Sequence, residues 1–370
     1  MKVSFVLPGY WREPGGGASV VYRLASGLAA SGHDVTVAHV ARFRTRPRPG
    51  EGRLRRQVEE IVSGRRDARR GAPDGPRWAP IDPRVTCTYH ERFGPDIVPD
   101  GDVVVATAWQ TAVAVADLAP AKGRGVYLVQ GLETWSASEA RIDATWRLPL
   151  RKVLIAGWLY DRAAAMGLDD IHRLVLAIDD DEYRLVRPIE DRAPRVLMLA
   201  SPEPAKGLTD GVEALTRAKA AVPAMTACCF GVGRRPAALP AWIEYVQDPP
   251  RRVLVDDLYN SAAVYVCPSR GEGWHLVAAE AMACGAALVS TDIGGVADYA
   301  RQGETALLSP VRDGAALGDN VIRLLGDAAL RVRLARAGHA EIVGNDWART
   351  TDTFERILRL DSVPAMPAGR

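Results

Sequence analysis

Residues 263–285, AVYVCPSRGEGWHLVAAEAMACG, decide the fold of this chain. The opening AVYVCPS clusters β-branched residues as a buried strand does, and LVAAEAMACG is helix-forming up to Gly285, a residue type that ends helices. Between them lie Arg270, Gly271, Glu272, Gly273, Trp274 and His275, a short glycine-flanked loop. Strand, tight loop and helix in that order build a parallel α/β sheet. Loops at the carboxyl ends of such strands lie in the ligand crevice, and the following helix points free N–H groups and its positive dipole end into it. A phosphate belongs there. Glu272, on the loop, can accept hydrogen bonds from a polyhydroxylated ligand. Glu280, about two turns along the helix, can reach the vicinal hydroxyls of a ribose whose phosphates lie at the helix start. Two solvated surface glutamates are the bland alternative, and the flanking Gly271 and Gly273 and the apolar neighbours weigh against it.

Outward from this unit, apolar strand-like runs alternate with helical ones in two series. KVSFVLPG, DVTVAHV, RVTCTY, DVVVATA, GVYLVQ, KVLIAG and RLVLAI form the first, to about residue 178, and PRVLMLA, MTACCFG, IEYVQD, AVYVCPS, AALVSTDIG and ALLSP the second. That rhythm predicts an α/β protein of two Rossmann-like, doubly wound parallel-sheet domains. A length of 370 residues suits two domains of ordinary size. The polar, proline-containing stretch Glu190–Pro194 reads as the linker, giving domains at 1–190 and 191–345. A last helical segment at 346–370, with no strand after it and a tail beyond, could pack on either domain by periodicity alone.

The residues 268–299, PSRGEGWHLVAAEAMACGAALVSTDIGGVADY, carry a resemblance, nearly position for position, to the donor-site motif of family 4 retaining glycosyltransferases, enzymes of the GT-B fold, and the resemblance extends over most of the chain. It implies two domains facing a central cleft, with closure hinged near 190–194 and before the last helix, which crosses back onto the first domain. It also implies a nucleoside-diphosphate sugar as donor substrate, with Glu272 beside the transferred sugar and Glu280 on the ribose. The backbone amides around His275, Leu276 and Val277 would receive the diphosphate. Relatives have Phe-Gly where this chain has Trp274-His275, so the sugar pocket formed with Gly273 is not a copy of theirs. Base contacts are expected from backbone near Tyr245, Val246 and Gln247.

Two further elements belong to the donor side. Gly15-Gly16-Gly17 precedes a helical run that stops at Gly32, and such glycines let a ligand oxygen approach backbone N–H groups closely. Val20 stands at the third position of the dinucleotide fingerprint, so a nicotinamide cofactor is disfavoured. In the resembled family this loop, here Gly16 and Gly17, touches donor phosphate or acceptor. After PRVLMLA comes Ser201-Pro-Glu-Pro-Ala-Lys206-Gly207, where the family has an arginine five residues before a lysine, both neutralising the leaving diphosphate. Lys206 matches and Ser201 replaces the arginine. Arg234, Arg235 and Arg270 are candidates to supply the lost charge.

On the acceptor side, Gln130-Gly-Leu-Glu133-Thr-Trp135 follows the strand GVYLVQ. Many relatives place a histidine near this point. This chain looks instead like members carrying Gln followed by Glu, which makes Gln130, Glu133 and Trp135 candidates for sugar or acceptor contact; a polar loop under a packed tryptophan is the alternative. The stretch 42–77, rich in Arg, Pro and Gly, reads as a long solvated excursion. Peripheral contact with an anionic membrane or a phosphate-bearing acceptor is its functional reading, at about 1 kcal/mol per basic residue. It lacks the interleaved aromatics of a nucleic-acid module.

A net charge of +2 gives no polyelectrolyte character. No apolar run approaches the roughly 20 residues of a membrane span, and MKVSFVLPGYW turns polar too soon for a signal peptide. Five cysteines without metal-ligand pairing read as reduced core thiols of a cytoplasmic protein. No aspartate cluster with metal-ligand spacing follows a strand, so neither metal nor resident cofactor is expected. The resulting expectation is a retaining transferase that moves a sugar to an acceptor hydroxyl of a glycan, a lipid-linked acceptor or a small natural product. A nucleotide-sugar binding protein without turnover, a sugar phosphorylase and a nucleotide-sugar epimerase stay open as alternatives.

Overall fold

The computed structural model describes residues 1–43, 76 and 78–360, so the arginine-rich excursion lies almost wholly outside the described residues. The described chain forms two units. In the first, strands β1 (Lys2–Pro8), β2 (Asp34–Arg42), β3 (Thr86–Arg92), β4 (Val103–Ala106), β5 (Arg124–Val129), β6 (Arg151–Leu154) and β7 (Ile171–Arg173) make a parallel sheet in the order β3-β2-β1-β4-β5-β6-β7. In the second, β8 (Arg195–Leu199), β9 (Thr226–Gly231), β10 (Glu244–Gln247), β11 (Val264–Cys267), β12 (Ala287–Thr291) and β13 (Ala306–Ser309) are ordered β10-β9-β8-β11-β12-β13. Both units are Rossmann-like and doubly wound. In each, the strand order reverses once, between β1 and β4 and between β8 and β11, and ligands of such sheets bind outside the strand ends at that point.

The central strands are apolar on both faces because helices cover both. Phe5, Val6, Val37, Val105, Leu128 and Val153 are fully buried in the first sheet, and Leu197, Met198, Val264, Tyr265, Leu288 and Val289 in the second. This is the burial that continuous apolar runs require in a parallel sheet. Of the five free cysteines, Cys228, Cys229, Cys267 and Cys284 are buried and Cys87 is half-buried. Among the described residues no helix is long and apolar enough to cross a membrane.

The passage between units differs from the expected linker. The second unit already includes Leu176–Asp346, together with Ala156–Trp158. Residues 190–194 are part of its packing. The Arg192 side chain is buried and donates to the carbonyls of Cys284 (2.6 Å) and Ala262 (2.8 Å). Cys284 closes the helix Leu276–Ala283, so a guanidinium here satisfies carbonyls that a helix end leaves orphaned. The polar, proline-containing stretch that reads as a linker thus carries a buried cap at Arg192.

The last helix, Trp347–Arg359, packs on the first unit. Phe354 stacks on Phe5 at 6.1 Å, Thr351 fills the space left by Gly27, and Arg151 donates to the Ile357 carbonyl at 2.7 Å. Its buried face, Thr350, Thr351, Phe354, Ile357 and Leu358, is spaced as one stripe of a helix.

Candidate functional site: the loops after β8 and β11

The loops leaving β8 and β11 meet at the switch point of the second sheet. The first ends in the turn Pro204–Lys206, the second carries Arg270–His275, and the Lys206 Nζ lies 2.9 Å from both Glu272 oxygens. The Glu272 side chain is only 12% exposed, so the pair is largely shielded from water. Burial pushes the Glu272 carboxyl up, and the Lys206 ammonium bonded to both its oxygens pulls it back down.

The helix Leu276–Ala283 starts at this loop, with His275 as its cap: the His275 Nδ1 accepts the Ala278 N–H at 2.9 Å. Burial favours a neutral ring, while Cys267 and Glu272 draw it toward protonation. An Nδ1 that accepts a backbone N–H has no proton of its own, and a cation is disfavoured at a helix N-terminus. The geometry therefore holds the neutral tautomer, with its proton on Nε2, 3.7 Å from Glu272 Oε1. The expected diphosphate amides are differently engaged. The His275 N–H donates to the Gly295 carbonyl at 2.8 Å and the Leu276 N–H to the Trp274 carbonyl at 3.0 Å. Val277, in the first turn, keeps an N–H with no intrahelical partner.

Glu280 projects from the same helix, and both its oxygens are held: the Tyr183 hydroxyl donates at 2.7 Å and the Tyr259 hydroxyl at 2.8 Å. Arg251 lies over the Tyr183 ring at 5.2 Å, donates to the Tyr183 hydroxyl and pairs with Glu182 at 2.5 Å. Sequence reasoning missed this cluster. Tyr183 comes from the connection after β7 and Tyr259 from the π-helical segment Val253–Tyr259, and no spacing links either to Glu280.

Of the other donor-side residues, Ser201 accepts the Glu203 N–H at 3.2 Å and holds its own turn. Arg270 forks onto Asp210 (2.9 and 3.0 Å) and Arg235 donates to the Ile243 and Pro240 carbonyls, so both guanidinia are held by the protein itself. Arg234 is exposed on the loop after β9. Trp274 packs edge-on against Tyr299 at 5.1 Å, and Val246 lies in the edge strand β10, packed against the core.

The first unit brings its candidates together separately. The helix Gly16–Ala30 begins inside the glycine run, and Gly17 lies against the Gln130 amide, where a Cβ would sit 3.5 Å from both terminal atoms. Glu133 accepts the Trp109 N–H (3.0 Å) and the Tyr127 hydroxyl (3.3 Å) through one oxygen, whereas Trp135 is 67% exposed and forms no lid. Burial raises the Glu133 carboxyl to about 8, outweighing those two bonds. A carboxyl whose folded pKa is raised costs nothing below its unfolded value near 4.5 and destabilises progressively as pH climbs toward 8, because the unfolded chain ionises first. Glu133→Gln is therefore expected to raise the melting temperature at pH 8, with the gain shrinking to nothing near pH 4. A gain independent of pH across that range would contradict the buried neutral carboxyl.

Comparison with known proteins follows the same geography. The family described as glycosyl transferases group 1 matches residues 193–327. D-inositol 3-phosphate glycosyltransferase of Acidothermus cellulolyticus is 36% identical over 111 residues, 30% of this chain and 24% of the relative. Phosphatidyl-myo-inositol mannosyltransferase of Mycobacterium leprae is 36% identical over 99 residues, 26% of each. The matched part thus spans about a quarter of the length of these curated relatives. Among solved structures, Anabaena Alr3699/HepE in complex with UDP and glucose superposes with a TM-score of 0.71 at 15% identity, over 97% of this chain and 99% of that one. The likeness at that identity is one of fold.

Proposed function

We propose, from the premise that residues 193–327 form a domain of the group 1 glycosyl transferases, that the protein moves a sugar from a nucleoside-diphosphate sugar to an acceptor hydroxyl with retention of configuration. The observation that carries the reading is Lys206 paired with Glu272 at 2.9 Å at the switch point of the second sheet, with Glu280 on the helix that follows. Breaking the bond from an anomeric carbon to a diphosphate develops positive charge on the sugar and negative charge on the leaving phosphate. Lys206 would turn from Glu272 to that phosphate, joined by Arg234 and the amides at the helix start, and stabilise it electrostatically. Released from the lysine, Glu272 would orient the sugar through its hydroxyls. Retention follows if the acceptor attacks from the face that the phosphate leaves, with a phosphate oxygen taking the acceptor's proton. The chemistry needs no divalent ion and no resident cofactor in this scheme. Gln130, Glu133 and Trp135 are the acceptor-side candidates, and Gly16 and Gly17 are donor-side ones.

The reading is supported by the named activities of the relatives and by the nucleotide bound in the HepE structure. Its test is a thermal-shift panel with UDP, GDP, ADP and TDP. A nucleotide at about 100 times its dissociation constant adds roughly 2.7 kcal/mol of stability, and one of the four is expected to raise the melting temperature selectively. Silence from all four would reject the reading. A selective shift without release of sugar from any cognate donor, in the presence of candidate acceptors, would reduce the protein to a binding protein.

A further inference from the structure

Residues 156–158 are remote in sequence from the donor motif, yet they belong to the second unit and dock directly on its glutamate loop. The Gly157 N–H donates to both oxygens of Asp298, at 3.0 and 3.2 Å. The next residue, Trp158, donates its indole N–H to the Gly273 carbonyl at 2.8 Å. Its ring occupies the space above Gly294, where a Cβ would come within 2.4 Å of the indole. Gly295 is as tightly used: a Cβ there would lie 2.4 Å from the Glu272 Cβ, and its carbonyl takes the His275 N–H. The run Gly294–Tyr299 is thus a mount, with Trp158 seated on one glycine and the glutamate loop on the other.

The bond to Gly273 has a directional consequence. A trans peptide is planar, with its C=O and N–H on opposite sides. Holding the Gly273 oxygen toward Trp158 therefore turns the Trp274 N–H away from it. Among the described residues the Trp274 N–H makes no hydrogen bond, nor does that of Val277, while His275, Leu276 and Ala278 have theirs engaged inside the protein. Two unpartnered donors at the start of an eight-residue helix, beside Lys206, suit a diphosphate.

We infer that Trp158 is a positioning residue of the donor site: its indole N–H sets the Gly273–Trp274 peptide so that the Trp274 amide, with that of Val277, faces the donor diphosphate. The inference rests on the nucleotide-sugar reading and moves the phosphate contacts from His275 and Leu276 to Trp274 and Val277. Trp158→Phe keeps the ring and removes the donor; Gly294→Ala displaces the ring. Isothermal titration with the diphosphate nucleotide that the wild type binds, and with its monophosphate, separates the outcomes. Each variant is expected to bind the diphosphate about tenfold more weakly, the scale of one lost hydrogen bond, and the monophosphate within about twofold of wild type. Trp158→Phe should melt as the wild type does. Unchanged diphosphate affinity, or equal losses for both nucleotides, would overturn the inference and leave the proposed function standing. A wild type that binds none of the nucleotides overturns both.

Discussion

Lys206→Ala is expected to slow release of nucleoside diphosphate from the cognate donor by about 10²–10³-fold, the usual effect of removing one preorganised charge from a leaving group. The variant has a second consequence. Burial pushes the Glu272 carboxyl up, and the Lys206 ammonium is the charge beside it that holds it down. A depressed carboxyl stabilises the fold above its unfolded pKa and loses that contribution as pH falls through the folded value. Removing the lysine removes part of the contribution, so the variant should melt below the wild type at pH 7, with the gap closing as both are taken below pH 4. Turnover within fivefold of the wild type in a folded Lys206→Ala would take the lysine out of the reaction. A melting difference that widens on acidification would contradict the ion pair.

Glu280→Ala is expected to damage the fold as well as the site. Two tyrosine hydroxyls lose their acceptor, and Tyr259 is fully buried. An unsatisfied buried polar group costs about 1–3 kcal/mol, and Arg251 offers Tyr259 no replacement since it is itself a donor. The expected loss is about 2–6 kcal/mol, which lowers the melting temperature by roughly 4–24 °C at the 2–4 °C per kcal/mol of a domain this size. Loss of nucleotide binding in Glu280→Ala would then be ambiguous by itself. Glu280→Gln keeps a carbonyl oxygen for one tyrosine and is expected to fold, while binding the cognate nucleotide about 10–100-fold more weakly as a neutral partner for the ribose hydroxyls. A Glu280→Ala protein as stable as the wild type would show that the two tyrosine bonds carry no net stability.

The two series of strands were legible because each central strand is buried on both faces and so reads as a continuous apolar run between helix-forming segments. The meeting of Lys206 with Glu272 was legible at one remove. Strands β8 and β11 are neighbours in this sheet order, so the loops at their carboxyl ends must lie side by side. The placing of Glu272 on the loop and of Glu280 on the helix after it follows from the short-range order of loop and helix. Charge next to proline at 190–194 looks like a linker, and only the neighbouring helix end explains the buried Arg192 guanidinium. The exposed Trp135 ring excludes the alternative of a packed tryptophan over a polar loop, and nothing in a sequence tells an exposed tryptophan from a packed one.

By itself, the sequence determined everything that depends on period and on short-range spacing: strand, loop and helix at 263–285, the doubly wound rhythm of both units, and the placing of Lys206, Glu272 and Glu280 at strand ends and on one helix. The tertiary structure alone decided which groups occupy those carboxylates and amides. Tyr183 and Tyr259 reach Glu280 from two different connections, Trp158 reaches Gly273 across 115 positions of chain, and the last helix lies on the first unit through Phe354 on Phe5. Hydrogen bonds and ring contacts of this kind join residues far apart in the chain, and a repeat of 2 or 3.6 residues carries no record of them.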